Sequence, residues 1–151
     1  GTFGKSFGSG GAFIACDSKI GEYLIQTSSA FRYTTALSPA LAAGALQSLQ
    51  KIKSNKEWGI NLINHSKKWK KEITRTFNYP VRGDAQILSI ITGQEEKTIL
   101  LQKHLEKNGF LAIAIRPPTV PINESRIRLT IRRDLNLEIL NNFISVLKTF
   151  K

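Results

Sequence analysis

Gly1-Thr2-Phe3-Gly4-Lys5-Ser6-Phe7-Gly8-Ser9-Gly10-Gly11 runs directly into the apolar stretch Ala12-Phe13-Ile14-Ala15-Cys16. One lysine sits among five glycines and three hydroxyl side chains. Glycine permits positive φ and lets a backbone pass close to a ligand. Successive N–H groups and hydroxyls suit an anion such as phosphate. A lysine held there, partly desolvated, can lose its proton and act as an amine nucleophile. Phosphate donors beside a reactive amine point to pyridoxal phosphate, which needs an anchored phosphate and a Schiff-base lysine.

Two other readings compete for this stretch. Gly4-Lys5-Ser6 also matches the end of a P-loop, whose first glycine would precede residue 1. A P-loop lysine opens a helix, whereas more glycine and a strand-like run follow here. The other alternative is a flexible glycine-rich turn carrying an exposed lysine.

The length of 151 residues suffices for an ordinary core, and 41% hydrophobic content fits a globular chain. A glycine-rich functional loop at residue 1 has no supporting strand before it, which predicts a fragment. No apolar run approaches the ~20 residues of a membrane span, so no membrane partner is expected. The net charge of +11 raises nucleic acid as a partner. Its lysines and arginines are spread along the chain and not interleaved with aromatics as a base-stacking platform requires. A solvated lysine-rich surface is expected, and no nucleic acid. The lone Cys16 lies in the apolar run, predicting a buried thiol in a reducing cytoplasm. His65 and His104 lack a spaced carboxylate or cysteine cluster, so no metal is expected.

Along the chain, Gly11 to Cys16 reads as a short buried strand. Asp17-Ser18 caps a helix from about Lys19 to Ala30, with Ile20, Tyr23, Leu24 and Thr27 on one face. Phe31 to Thr35 is a β-favouring break. Ser38-Pro39 starts a helix to about Ser54, with Leu41, Leu49 and Ile52 inward. A third helix, about Lys56 to Phe77, carries Trp58, Leu62, Trp69 and Ile73 at core spacing, with its lysines on other, solvated faces. Then follow a strand (Gln86 to Thr92), a helix (Glu95 to Lys107) closed by Asn108-Gly109, and a strand (Phe110 to Ile115). Arg126-Ile127-Arg128-Leu129-Thr130-Ile131-Arg132 alternates strictly, placing all three arginines on one strand face. Leu137, Leu140, Phe143, Ile144 and Leu147 form the stripe of a closing helix. Arg128 stands out because a guanidinium suits bidentate carboxylate recognition and because a proline-bracketed turn precedes it.

Three separated segments together resemble one family. Thr2 to Gly11 is similar to the cofactor-lysine loop of the α-oxoamine synthases, pyridoxal-phosphate enzymes of the aspartate-aminotransferase fold (fold type I). Phe31-Arg32-Tyr33-Thr34-Thr35-Ala36-Leu37-Ser38-Pro39 resembles the family's second phosphate-contacting segment. Ile115-Arg116-Pro117-Pro118-Thr119-Val120-Pro121, with Arg126-Ile127-Arg128-Leu129-Thr130, resembles its C-terminal substrate segment. The Arg-Pro-Pro-Thr form points to the biotin-pathway branch. Arg32, Ser38 and Asn123 depart from the usual pattern, where an apolar residue, a proline and a glycine stand.

The resemblance implies an α/β fold, with residues 1–55 ending a large domain and residues 56–151 forming the small C-terminal domain. The three leading helices would cover a parallel sheet contributed from upstream. Lys5 would carry the cofactor covalently, and Thr2 would contact its phosphate. Thr34 and Thr35 would reach the phosphate in the neighbouring subunit's site, which implies a homodimer. Thr119 would contact substrate, and Arg128 would bind the amino-acid carboxylate. The implied reaction condenses L-alanine with a pimeloyl thioester and releases carbon dioxide. The family alternatives use glycine or serine. The residues that stack on the pyridine ring and face its nitrogen would lie upstream, so the chain alone is expected to be inactive.

Overall fold

The computed structural model describes residues 1–150. The chain forms two compact units, Gly1–Lys56 and Glu57–Lys151.

The first unit contains α1 (Ser18–Thr27), α2 (Ser29–Arg32) and α3 (Pro39–Ser54). Asp17 caps α1 by accepting from the Lys19 N–H at 2.9 Å. Ser38 caps α3, with proline in the first turn where its missing N–H costs nothing. The predicted first helix is interrupted at Ser28, whose extended backbone ends α1 and whose hydroxyl caps α2. Phe31 and Arg32 are therefore helical and not part of a β-favouring break.

Three further expectations fail in this unit. Gly11 to Cys16 is not a buried strand; its only ladder contact is an isolated antiparallel bridge between Thr2 and Ala12. A strand needs a hydrogen-bonded partner along its length, and the described residues provide none. Ile14 is accordingly 74% exposed, and the Cys16 thiol is exposed, not buried. The stripe of α1 and the Leu41, Leu49 and Ile52 stripe of α3 are also exposed or half-buried, because no layer covers them within the unit. Ala45 is the only buried hydrophobic residue there.

The second unit is built from α4 (Glu57–Thr76), β1 (Val81–Arg82), β2 (Ile87–Gly93), α5 (Glu95–Lys107), β3 (Ile113–Ile115), β4 (Ser125–Thr130) and α6 (Leu137–Thr149). Its sheet is antiparallel throughout, in the order β1-β2-β4-β3. The two-residue β1 carries no periodic signal and was not expected. Nor did the sequence indicate that β3 would be as short as three residues. Alternation on β4 is as predicted: Ile127, Leu129 and Ile131 are buried, and the arginines take the other face. α5 has the predicted limits. Gly109 closes it with φ +84°, while the Phe110 N–H reaches back to the Leu105 carbonyl at 2.9 Å.

Trp69 and Ile73 of α4, Leu101 and Leu105 of α5, and Leu140, Phe143 and Leu147 of α6 pack with Leu88, Ile90, Ile127 and Leu129 in one core. The third helix therefore covers an antiparallel sheet of this chain and not a parallel one from elsewhere. Trp58 is only half-buried and lies under the Arg133 guanidinium, 4.0 Å from its ring centroid. Both histidines have structural partners. His65 accepts from the Trp69 indole N–H at 3.2 Å, and His104 lies 3.0 Å from the Val146 carbonyl.

Phe143 is 2% exposed and stacks against both Trp69 and Phe110, at 5.5 and 5.1 Å. Removing such a side chain costs about 3–5 kcal/mol, from lost transfer energy and the cavity left behind. Phe143→Ala should therefore lower the urea midpoint strongly. Leu111→Ala, at a site 90% exposed, should cost under about 0.5 kcal/mol. Similar losses for the two would contradict this core.

Candidate functional site

The glycine-lysine loop is a closed hairpin-like turn. Phe3 donates to the Gly11 carbonyl and Phe13 to the Gly1 carbonyl, each at 2.9 Å. These bonds align residues 1–3 against residues 11–13. The intervening segment is closed by Ser9 donating to the Phe3 carbonyl and Gly8 donating to the Lys5 carbonyl, both at 2.9 Å. Lys5 begins this inner turn, and its side chain is exposed. The rings of Phe7 and Phe13 pack against that of Phe3, at centroid distances of 5.1 and 5.3 Å.

Two hydroxyls fasten the loop to α3. Ser9 Oγ donates to the Leu41 carbonyl at 2.6 Å, and Ser48 Oγ donates to the Phe7 carbonyl at 2.7 Å. The glycines make that contact possible. A Cβ at Gly11, where φ is +103°, would lie 2.5 Å from Leu37 Cδ1, and one at Gly10 would lie 3.0 Å from Leu41 Cδ1. Ser9 is thus committed to the scaffold. Thr2 and Ser6 make no side-chain hydrogen bond to any described residue, so their hydroxyls remain available. No helix opens at Lys5, and the next helix begins at Ser18. This geometry disagrees with a P-loop, whose lysine must start a helix.

Thr34 and Thr35 are exposed and follow α2. Thr34 Oγ1 donates to the Ala30 carbonyl, so that hydroxyl stays positioned with lone pairs to spare. Arg32, unexplained by sequence, donates to the Gln26 carbonyl at 3.1 Å and lies beside the Tyr33 ring. It ties α2 to the end of α1.

The other two predicted residues lie in the second unit. Thr119 is exposed and ends the turn Arg116–Thr119, its N–H donating to the Arg116 carbonyl at 3.0 Å. Asn123 takes φ +62°, the left-handed conformation that asparagine tolerates in place of glycine. Arg128 lies on the central strand β4, between Ser89 of β2 and Ile113 of β3.

Neighbouring carboxylates separate Arg128 from the other arginines. Glu124 accepts from Arg126 at 2.7 Å and from Arg82 at 2.9 Å. Arg132 makes a bidentate pair with Asp134, at 2.9 and 2.7 Å. Hydrogen bonding from Arg132 holds the Asp134 carboxyl below its usual range. Arg116 faces Glu95 at 3.5 Å. Among the described residues, no carboxylate pairs with Arg128, which is exposed on the sheet face. Periodicity gives all three arginines the same face, and in the structure the carboxylates set Arg128 apart. Glu124, which occupies Arg126 and Arg82, was missed by the sequence reading because the Glu124-to-Arg82 contact crosses 42 positions.

Comparisons with known proteins cover nearly the whole chain. It is 34% identical over 152 residues to the 8-amino-7-oxononanoate synthase of Hahella chejuensis, covering 100% of this chain and 38% of that protein. A serine palmitoyltransferase solved with its pyridoxal-phosphate internal aldimine superposes with a TM-score of 0.87 at 19% identity, over 97% of this chain and 37% of that one. The 8-amino-7-oxononanoate synthase of Francisella tularensis superposes with a TM-score of 0.83 at 22% identity, over 97% of this chain and 43% of that one. The chain thus spans about 38% of the length of the curated relative, and the two superpositions establish a shared fold. The family model for aminotransferases of classes I and II matches residues 1–147, and the chain belongs to that family.

Proposed function

We propose that this chain supplies the lysine loop and the small domain of a pyridoxal-phosphate-dependent α-oxoamine synthase, an 8-amino-7-oxononanoate synthase of biotin biosynthesis. Residues 1–55 end its large domain, and residues 56–151 form the small one. The single observation that carries the reading is the exposed Lys5 amine, set on a turn that two hydroxyl bonds fasten to α3. The donor chemistry fits the cofactor: Lys5 offers the amine, while Thr2 offers an uncommitted hydroxyl for phosphate. Thr34 and Thr35 serve the phosphate in the partner subunit's site, which makes the enzyme a homodimer. Its setting is cytoplasmic; no described helix is long and apolar enough to cross a membrane.

The bound cofactor supplies an electron sink for the charge left on the substrate Cα. Lys5 Nζ would hold the cofactor covalently. As a free amine, Lys5 Nζ would act as the base that removes the substrate Cα proton. Arg128 holds the alanine carboxylate and so fixes which Cα bond is cleaved at each stage. Thr119 positions the substrate from the turn before β4. In balance, a bond forms between alanine Cα and the thioester carbonyl carbon, the C–S bond breaks, and the thiol leaves. The carboxylate then departs as carbon dioxide, and a proton returns to Cα from Lys5.

A related reading takes serine as the amino acid, supported by the likeness to serine palmitoyltransferase. The greater identity to an 8-amino-7-oxononanoate synthase favours alanine. Comparing carbon dioxide release from the two amino acids, with a pimeloyl and a long-chain thioester, tests the choice. Faster turnover with serine and the long chain would reverse it.

In the full-length protein, Lys5→Ala should abolish turnover and the visible band of covalently held cofactor, with circular dichroism unchanged. An unaltered band in the variant would remove Lys5 from this role.

Arg128→Ala should weaken L-alanine binding about ten- to a hundredfold, the equivalent of a lost charge-assisted hydrogen bond. Thioester binding should change little, and Arg132→Ala should leave both substrates nearly unaffected. Equal losses for both substrates in Arg128→Ala would make it a structural arginine.

The isolated 151-residue chain, mixed with pyridoxal phosphate, L-alanine and pimeloyl thioester, should release no thiol above background. Lys5-dependent release would show that the pocket is complete within these residues.

A further inference from the structure

Sequence periodicity places the α4 lysines on solvated faces, where Lys67, Lys68 and Lys71 are indeed exposed, and three of the four also border a groove. Lys67, Lys70, Lys71 and Arg75 follow one another at i, i+3, i+4 and i+8 along the helix. All four line a groove of about 510 Å³, completed by Gly83, Asp84 and the buried Leu88. This size lies within the range of small-molecule sites.

The wall opposite the helix is fixed. Ser66 Oγ donates to the Ala85 carbonyl at 2.6 Å, and Lys70 Nζ pairs with Asp84 at 3.0 Å. Gly83 has φ +115°, and a Cβ there would lie 2.2 Å from the Ile87 carbonyl oxygen, so the turn can hold only glycine. Gly83 and the Ser66–Ala85 bond thus set the backbone geometry of this wall.

Its charge is incompletely neutralised. Asp84 meets Lys70, and Glu72 meets Arg75 at 2.6 Å. Among the described residues, Lys67 and Lys71 pair with no carboxylate. Like charges at i, i+4 oppose one another on a helix, and an anion would relieve that repulsion. Lysine binds phosphate as a point charge, and the Thr74 hydroxyl lines the same groove. From Lys67 to Lys71 the helix rises about 6 Å, a span that two adjacent phosphoryl groups can bridge.

We infer that this groove binds an anion carrying two adjacent phosphoryl groups, held chiefly by Lys67 and Lys71. The inference is independent of the reaction proposed above, since it concerns binding alone. Such chemistry is shared by a free diphosphate and by the diphosphate of coenzyme A.

Titration calorimetry on the full-length protein, saturated with pyridoxal phosphate, tests it with inorganic pyrophosphate and, separately, coenzyme A. Pyrophosphate should bind with a stoichiometry of about one per chain. Lys67→Gln with Lys71→Gln should weaken it at least about tenfold, as expected for lost charge-assisted contacts. The arginine pair, Lys67→Arg with Lys71→Arg, should retain binding. Lys103→Gln with Lys107→Gln, which removes the same charge from exposed positions of α5, should leave affinity within about twofold, because screening limits the effect of distant surface charge. Coenzyme A binding tenfold tighter than pyrophosphate, and lost in the same groove variant, would identify the carrier as the source. Coenzyme A binding no tighter would identify a free diphosphate. Equal losses in the two glutamine pairs, or no pyrophosphate binding at millimolar concentration, would overturn the site.

Discussion

The two-residue alternation of β4 is the constraint on which the second unit depends. Ile127, Leu129 and Ile131 enter the core, while Arg126 and Arg128 project from the opposite face. The β2 register sets Leu88 against Leu129 and Ile90 against Ile127. A slip by one residue would drive the arginines into the apolar layer beneath α4, α5 and α6. Burying an unpaired guanidinium there would cost far more than any packing gained. The register that secures the core therefore also secures the position of Arg128. Folding and the proposed carboxylate recognition rest on the same ladder.

The first unit shows a comparable double use of one sequence feature. Its glycine-rich start invites explanation by ligand approach alone, but Gly10 and Gly11 also make room for Leu41 and Leu37. The loop can approach α3 and the residues before it because neither glycine carries a Cβ to meet those side chains. Ser9 and Ser48 then supply the two hydrogen bonds that hold it. Lys5 is displayed by this packing. Its surroundings, an exposed amine with uncommitted hydroxyls on either side at Thr2 and Ser6, suit a phosphate-bearing aldehyde cofactor.

Legibility in the sequence followed the range of the interactions. Local signals worked: the Ser38-Pro39 helix start, the Asn108-Gly109 stop and the β4 alternation are each set by near neighbours in the chain. Burial was legible for most core positions whose covering layer belongs to the chain, as for Trp69 and Ile73, but not for Trp58 and Leu137, which lie half-buried and exposed at helix starts. It failed for Ile14, Cys16 and the α3 leucines, whose apolarity implied a cover that the described residues do not provide. Arg128 was singled out by the proline-bracketed turn before it and by the family resemblance, but the occupation of its neighbours by carboxylates was illegible for another reason. It depends on Glu124 and Asp134, and the Glu124 contact with Arg82 joins distant positions. The β1 strand escaped notice because two residues carry no period.

The central claim is that the amine at the start of this clamped turn holds the cofactor. Borohydride reduction of the full-length protein with pyridoxal phosphate, followed by proteolysis and peptide mass mapping, tests it most directly. The account predicts one pyridoxyl increment per subunit, carried by the peptide containing Lys5. An increment on a different lysine, with Lys5 unmodified, would contradict it.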